Sequence, residues 1–292
     1  MEKTVKIRED KQLRTRGEKV VFGVMFAVFA LFAFSVIFAL GWTFLQSLKS
    51  NMEFWDDKLS LPKNWLFKNY AKAFKNVEYS GFTFSGMFVN SIWFSAGMSV
   101  IGVLTHCVTG YIFAKYKFRG KEIAFAFILF TITIPIVGSL PSLYKVVHKM
   151  GIKDSPLFLI TAFGGFGWNF LITYAFFKGI DWSFAEAAQI DGAGRFYIFA
   201  RIMLPFAVGP IVALSLLGFI GQWNNYETPI LFLDKMPTLS SGLWRFRVRS
   251  TFESDETVYL SAVIMTMLPV LAAVSAFGGH IMKNVTMGGL KG

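Results

Sequence analysis

The stretch Val20–Gln46 carries no charged side chain, and it is the first of six long apolar intervals along the chain. A helix needs about 20 apolar residues to cross the hydrocarbon core of a bilayer. The intervals run approximately Val20–Gln46, Phe88–Ala114, Ile123–Val147, Pro156–Phe177, Leu204–Gln222 and Tyr259–Met282, and each is long enough if a few polar residues are allowed. Inside lipid every backbone donor and acceptor must be satisfied within the segment, which leaves helices and closed barrels. The expected fold class is therefore all-α: a polytopic membrane protein with six transmembrane helices.

Composition agrees. Of the 292 residues, 54% are hydrophobic and only 16% are charged, where a soluble domain has about 25% charged residues. The net charge of +11 would suit nucleic acid or anionic lipid. The basic residues crowd between the apolar intervals, however, and no nucleic-acid motif accompanies them, so membrane lipid is the expected partner. Cys107 is the single cysteine and has no disulfide partner.

Seven basic residues precede the first interval, which is too long for a signal-peptide core and has no small-residue cleavage site after it. It reads as a retained helix. With the N-terminus in the cytoplasm, 16 of the 29 basic residues fall on the cytoplasmic side. The short Lys115–Lys121 connection, with four of them, is the strongest pointer. Both termini are then cytoplasmic: a tail over residues 1–19, a six-helix transmembrane domain over 20–282 and a second tail over 283–292. Residues 47–87 and 223–258 form external loops, and residues 178–203 form a cytoplasmic loop.

That cytoplasmic loop has its own local chemistry. Ser183-Phe184-Ala185-Glu186 fits a capping box, with Ser183 at the N-cap. Ala185, Ala187 and Ala188 favour helix, and Gly192 suits the exit from a short one. A second helical stretch over Arg195–Ile202 precedes Pro205. The expected shape is helix, glycine turn, helix.

Glu186, Ala187 and Ala188, followed in register by Gly192, Ile202, Leu204 and Pro205, match the frame EAA-x3-G-x9-I-x-LP, and Asp191 and Ala193 complete a longer EAAxxDGA form. In this frame, in its position, in the Trp223-Asn224 pair after the fifth interval and in the ending Gly288-Gly289-Leu290-Lys291-Gly292, the chain resembles the MalG-type membrane subunit of bacterial carbohydrate ABC importers. The resemblance covers essentially the full chain. It implies half of a pore for a sugar or oligosaccharide delivered by an external sugar-binding protein, in the bacterial cytoplasmic membrane. It also implies docking of Glu186, Ala187, Ala188, Asp191 and Gly192 on one of two separate ATPase subunits. A second, different permease chain would complete a heterodimer. ATP and magnesium would belong to the ATPase subunits, with no cofactor in this chain. The C-terminal glycines would reach between the ATPases, although a disordered tail is an equal reading of residues 287–292 alone.

Breaks within the apolar intervals mark candidate substrate contacts, because unwound backbone is tolerated where it lines a cavity. Pro135, Gly138 and Pro141 interrupt the third interval. Gly164, Gly165 and Gly167 interrupt the fourth, beside Trp168 and Asn169. These two residues, with Trp223, Asn224 and Asn225, are the candidate substrate path, since a ring stacks on a sugar and an amide exchanges hydrogen bonds with hydroxyls. Close helix packing at the glycines and interfacial anchoring of Trp168 is the competing reading. Trp244, Arg245 and Arg247 of the second external loop are of types favoured at protein interfaces, and they are the candidate contact for the binding protein. Anchoring to lipid headgroups would use the same types.

The sequence offers no catalytic machinery. Gly120-Lys121 lacks the upstream glycine of a P-loop. His106, His148 and His280 are scattered, and no metal site or paired-carboxylate set is present. The alternative function, a secondary transporter or channel without an ATPase, would usually need ionisable residues within the spans, and these intervals hold almost none.

Overall fold

The computed structural model describes residues 15–134, 138–164, 166–249 and 255–288, and side chains except those of 249 and 280–288. Pro135, Gly165, the tail before residue 15, the terminal residues 289–292 and the side chains of Arg249 and His280 lie outside that description.

Helix α1 (Arg16–Ser47) begins at a capping box, in which Thr15 accepts from the Glu18 N–H and Glu18 accepts from the Thr15 N–H. At 1.5 Å per residue its 32 residues extend about 48 Å. Its apolar residues surround the axis rather than forming one stripe, and it is exposed on every side as far as Gly41. Short helices α2 (Asn51–Asp56) and α3 (Lys68–Asn76) follow. A two-residue hairpin, β1 (Glu78–Tyr79) and β2 (Phe82–Thr83), turns through Ser80 and Gly81. Both have positive φ, as a type I′ turn requires.

Helix α4 (Phe84–Lys115) is the central element. Pro156–Phe163, a 3-10 helix, and α7 (Trp168–Gly179) pack along it in the same direction, while α11 (Val208–Asn224) packs on another face. Small residues make the approaches possible. Ser99 Oγ donates to the Ser215 C=O at 2.6 Å, beside Gly218, where a Cβ would come 2.8 Å from the Ser99 Oγ. Helix α14 (Glu256–Gly288) lies against α11 and the end of α1.

Among the described residues, α1, α4 and α14 are each long and apolar enough to cross a membrane unbroken. Two of the other expected spans are bent pairs. The 3-10 helix and α7 are separated at Gly164–Gly167, and Arg195–Phe206 meets α11 at 76°. The third expected span lies as α5 (Lys121–Thr133) and α6 (Ser139–Lys149). Gly138, at φ +80°, leads into α6, and Pro141 occupies its first turn, where a missing N–H costs no helix bond.

At the N-terminal end of α4 the two long loops form a cap. Its core joins Ala73, Val77, Phe84, Met87, Trp223 and Leu243. Asn69 fastens it, donating through Nδ2 to the Ser47 and Lys49 carbonyls at 2.8 and 2.7 Å. Helices α12 (Glu227–Phe232) and α13 (Leu239–Arg249) complete the cap.

Candidate functional site

At the other end of α4, helix α8 (Ser183–Ile190) projects between α7 and the helical segment that begins at Arg195. Its start differs from the expected capping box. Ser183 is already helical and makes no cap; instead Asp181 Oδ1 accepts from the Ser183 N–H at 2.9 Å. Two cap-type residues stand two positions apart, and the earlier one has taken the role. The Asp181 carboxyl is held below its usual range, first by the Ser183 backbone N–H, then by the Ser183 hydroxyl, with a smaller contribution from Lys115.

The helix ends as the glycine pattern predicts. The Gly192 N–H donates to the Gln189 C=O at 3.0 Å and the Ala193 N–H to the Ala188 C=O at 2.9 Å, which together form a Schellman cap. Gly192 has φ +80°, a conformation costly for any residue with a Cβ.

A second helical stretch follows. It comprises α9 (Arg195–Tyr197), a π-helical segment Ile198–Met203 and α10 (Leu204–Phe206). The Leu204 N–H reaches back five residues to the Phe199 C=O. A proline ring at 205 would crowd the carbonyl of residue 201 in an α register, and the wider turn precedes it directly. The chain then bends at Ala207, two residues beyond Pro205.

The inner side of α8 belongs to the protein core. Ala185 is fully buried with Cys107, Tyr111, Phe177, Ile198, Met203 and Leu214, and Ala188 packs half-buried against the same group. Glu186, Ala187, Asp191 and Gly192 are exposed. Four of the five expected docking residues thus share the outer surface, while Ala188 divides its surface between outside and core. Sequence reasoning missed two large apolar neighbours on that surface, Ile190 (86% exposed) and Phe196 (81%). An apolar residue just before the glycine turn, and another just after it, was the available signal.

A basic and aromatic clasp fixes the site to the Lys115–Lys121 connection. The Tyr116 and Trp182 rings meet edge to face at 6.2 Å, Arg195 lies 5.8 Å from the Tyr116 centroid, and Lys115 Nζ donates to the Ile180 C=O.

The five candidate substrate-path residues do not form one cluster. Trp223 is buried in the cap core, packs edge to face on Phe88 at 5.8 Å and donates from Nε1 to the Thr266 C=O at 3.0 Å. Trp168 is 72% exposed at the start of α7, two residues before Phe170, which packs on Phe113 at 5.4 Å. Phe88 and Phe113 stand about 37 Å apart along α4 at 1.5 Å per residue. Asn169 is half-buried beside Trp168, Asn224 is exposed, and Asn225 donates to Thr228 and Gln222 in the cap.

The candidate binding-protein contacts are engaged within the chain. Arg247 pairs with the buried carboxylate of Glu256. Arg245 lies 3.9 Å from Asp234 and over the Tyr79 ring, and Trp244 stacks on Tyr226 at 5.9 Å. Among the described residues no group of His, Cys, Asp and Glu could hold a metal.

Residues 107–286 match the family of binding-protein-dependent transport system inner membrane components. The chain is 27% identical over 267 residues to a diacetylchitobiose uptake system permease protein, NgcG, of Streptomyces coelicolor, covering 90% of this chain and 86% of that one. It is also 27% identical over 255 residues to a trehalose transport system permease protein, SugB, of Mycobacterium tuberculosis, covering 86% and 91%. A solved bacterial ABC transporter involved in the import of the acidic polysaccharide alginate has a chain of the same fold. Its TM-score is 0.74 at 20% identity, over 91% of this chain and 98% of that one.

Proposed function

The chain belongs to the family of binding-protein-dependent transport system inner membrane components, and from that premise we propose that it forms half the pore of an ATP-driven sugar or oligosaccharide importer. In this reading six spans place both termini and α8 in the bacterial cytoplasm, and the cap lies outside. A second permease chain completes the pore, and an external binding protein delivers the sugar. Two separate ATPase subunits bind ATP and magnesium; this subunit is not an enzyme.

One observation carries the proposal: a rigid short helix with the EAA–glycine frame presents Glu186, Ala187, Asp191 and Gly192 outward from a buried inner side. Ile190 and Phe196 enlarge that surface with apolar area. Small alanines permit close approach of a partner, and Glu186 can meet a basic residue. When the ATPases close on ATP, the load on α8 passes to the helices beneath it and opens the pore outward; hydrolysis resets it. Trp168, with half-buried Asn169 beside it, and Asn224 remain the accessible candidates for sugar contact.

Purification of the tagged chain from its native host in mild detergent tests the reading. Co-purification of a stoichiometric ATPase and a second permease is the expected result. Recovery of this chain alone, still active in uptake after reconstitution, would overturn it in favour of a carrier that works without an ATPase.

A further inference from the structure

The cap contains an apolar surface that the transport reading leaves unused. Residues 50–65 leave the end of α1 and return to it as a closed loop. The Leu66 N–H donates to the Leu48 C=O at 2.8 Å, and Lys49, itself fully buried, donates through Nζ to the Asp57 C=O at 2.8 Å and to Ser60 Oγ at 3.1 Å. Glu53 Oε1 accepts from the Lys63 N–H at 2.6 Å, which closes the loop a second time. These bonds hold the loop at the exit of the span, so it cannot swing away from that level.

The loop carries Met52, Trp55, Leu59, Leu61 and Trp65, all exposed, with Leu59 at 82% and Trp55 at 56%. Lys58 lies with Nζ 4.3 Å from the Trp55 centroid. Tryptophan beside lysine is the residue pairing of the membrane–water interface, where the ring sits at headgroup level and the ammonium extends to water. The apolar surface of α1 is exposed as far as Gly41 and again at Phe44, and the buried turn Gln46–Lys49 then joins it directly to this loop.

We propose that the 50–65 loop is an interfacial anchor that inserts Trp55, Leu59 and Trp65 into the headgroup–acyl boundary of the leaflet where α1 ends. This rests on the reading of α1 as a membrane span. The occupant is lipid rather than protein because the patch combines span-end position, scattered apolar tips and an interleaved lysine. By this anchor the cap is fixed at one depth while the helices beneath it move.

The test uses the full chain with its co-purifying subunits in nanodiscs of native lipid. A nitroxide is attached at Trp55→Cys, Leu59→Cys or Phe32→Cys in a Cys107→Ala background, and collision rates with oxygen and a nickel chelate are measured. The expected oxygen-to-nickel ratio at 55 and 59 lies between that of the Phe32 label and that of free nitroxide in buffer. A buffer-like ratio at both loop positions overturns the anchor, and suppression of both collisions, the sign of a protein covering the patch, overturns it equally. A buffer-like ratio at Phe32 defeats the spanning reading instead, so the two failures are distinct.

Discussion

Gly110 of α4 presses directly on Thr173 of α7: a Cβ at Gly110 would come 2.5 Å from the Thr173 hydroxyl oxygen and 2.9 Å from the Tyr174 backbone nitrogen. The hydroxyl is itself fixed, donating to the His106 C=O at 2.8 Å. Backbone cannot yield as a side-chain tip can. Gly110→Val should therefore destabilise the protein by roughly 1–3 kcal/mol, the usual cost of overpacking. Gly97, whose close neighbours are the flexible Leu159 methyls, provides the contrast. Thermal melts in detergent should show a clearly larger loss for Gly110→Ala than for Gly97→Ala.

The position after α8 has a different constraint. At Gly192 a Cβ meets nothing within 4 Å, so the whole cost of substitution is conformational. Gly192→Val should cost about 1–2 kcal/mol of local stability through its left-handed backbone, and Gly192→Asn less. Hydrogen exchange at the Gly192 and Ala193 amides reports the fraying. Sugar-stimulated ATPase in the reconstituted complex should fall in the same order, Val before Asn.

The Asp181 cap predicts a pH response. Its pKa in the fold is depressed, so the cap's contribution is fully present above the ordinary carboxyl value of 3.8 and disappears as pH falls through the lower folded value. Amide protection in the first turn of α8 should be flat from pH 7 to about 5 and decline only in stronger acid. Asp181→Ala should abolish that acid step and lower protection at pH 7. An unchanged profile would show that the cap is irrelevant.

In the cap, Arg247 neutralises a Glu256 carboxylate that is almost wholly buried. Arg247→Ala should destabilise by about 1–2 kcal/mol, less than a fully buried pair because the arginine is half exposed. Adding Glu256→Gln should recover part of the loss. A double-mutant cycle with no coupling would contradict the pairing.

The two tryptophans proposed for the substrate path should separate by assay. Trp223→Ala removes a buried ring and should cost about 3–5 kcal/mol. Trp168→Ala, at an exposed ring, should leave the melting temperature within the range of surface changes, about ±0.5 kcal/mol. Reduced sugar uptake by Trp168→Ala at normal stability would support a place in the path, and full uptake would remove it.

Local pattern was readable where neighbours in sequence decide the outcome. Val20–Gln46 had to be helix by length and polarity, and Gly192 had to end α8 because the turn needs a left-handed residue. The cap of α8 was misplaced because Asp181 and Ser183 have the same chemistry, and only the backbone angles choose between them. Burial of Trp223 depends on the cap folding back over α11, and the Arg247–Glu256 pair joins two separate helices. Neither is encoded in a short window. The breaks in the third and fourth apolar intervals were legible as proline and glycine clusters; near Ala207 Pro205 marked the place, but the 76° angle itself was not readable in a short window.

The burial of Ala185 decides what kind of machine part α8 is. A loop attached only by its two ends would absorb a push by flexing, and its stroke would be lost before reaching the pore. Here the same contact surface belongs to α4, α7, α11 and the π-helical turn at once. In the proposed coupling, a displacement of α8 would therefore be delivered as a movement of the whole helical block, like a handle cast in one piece with the door it opens.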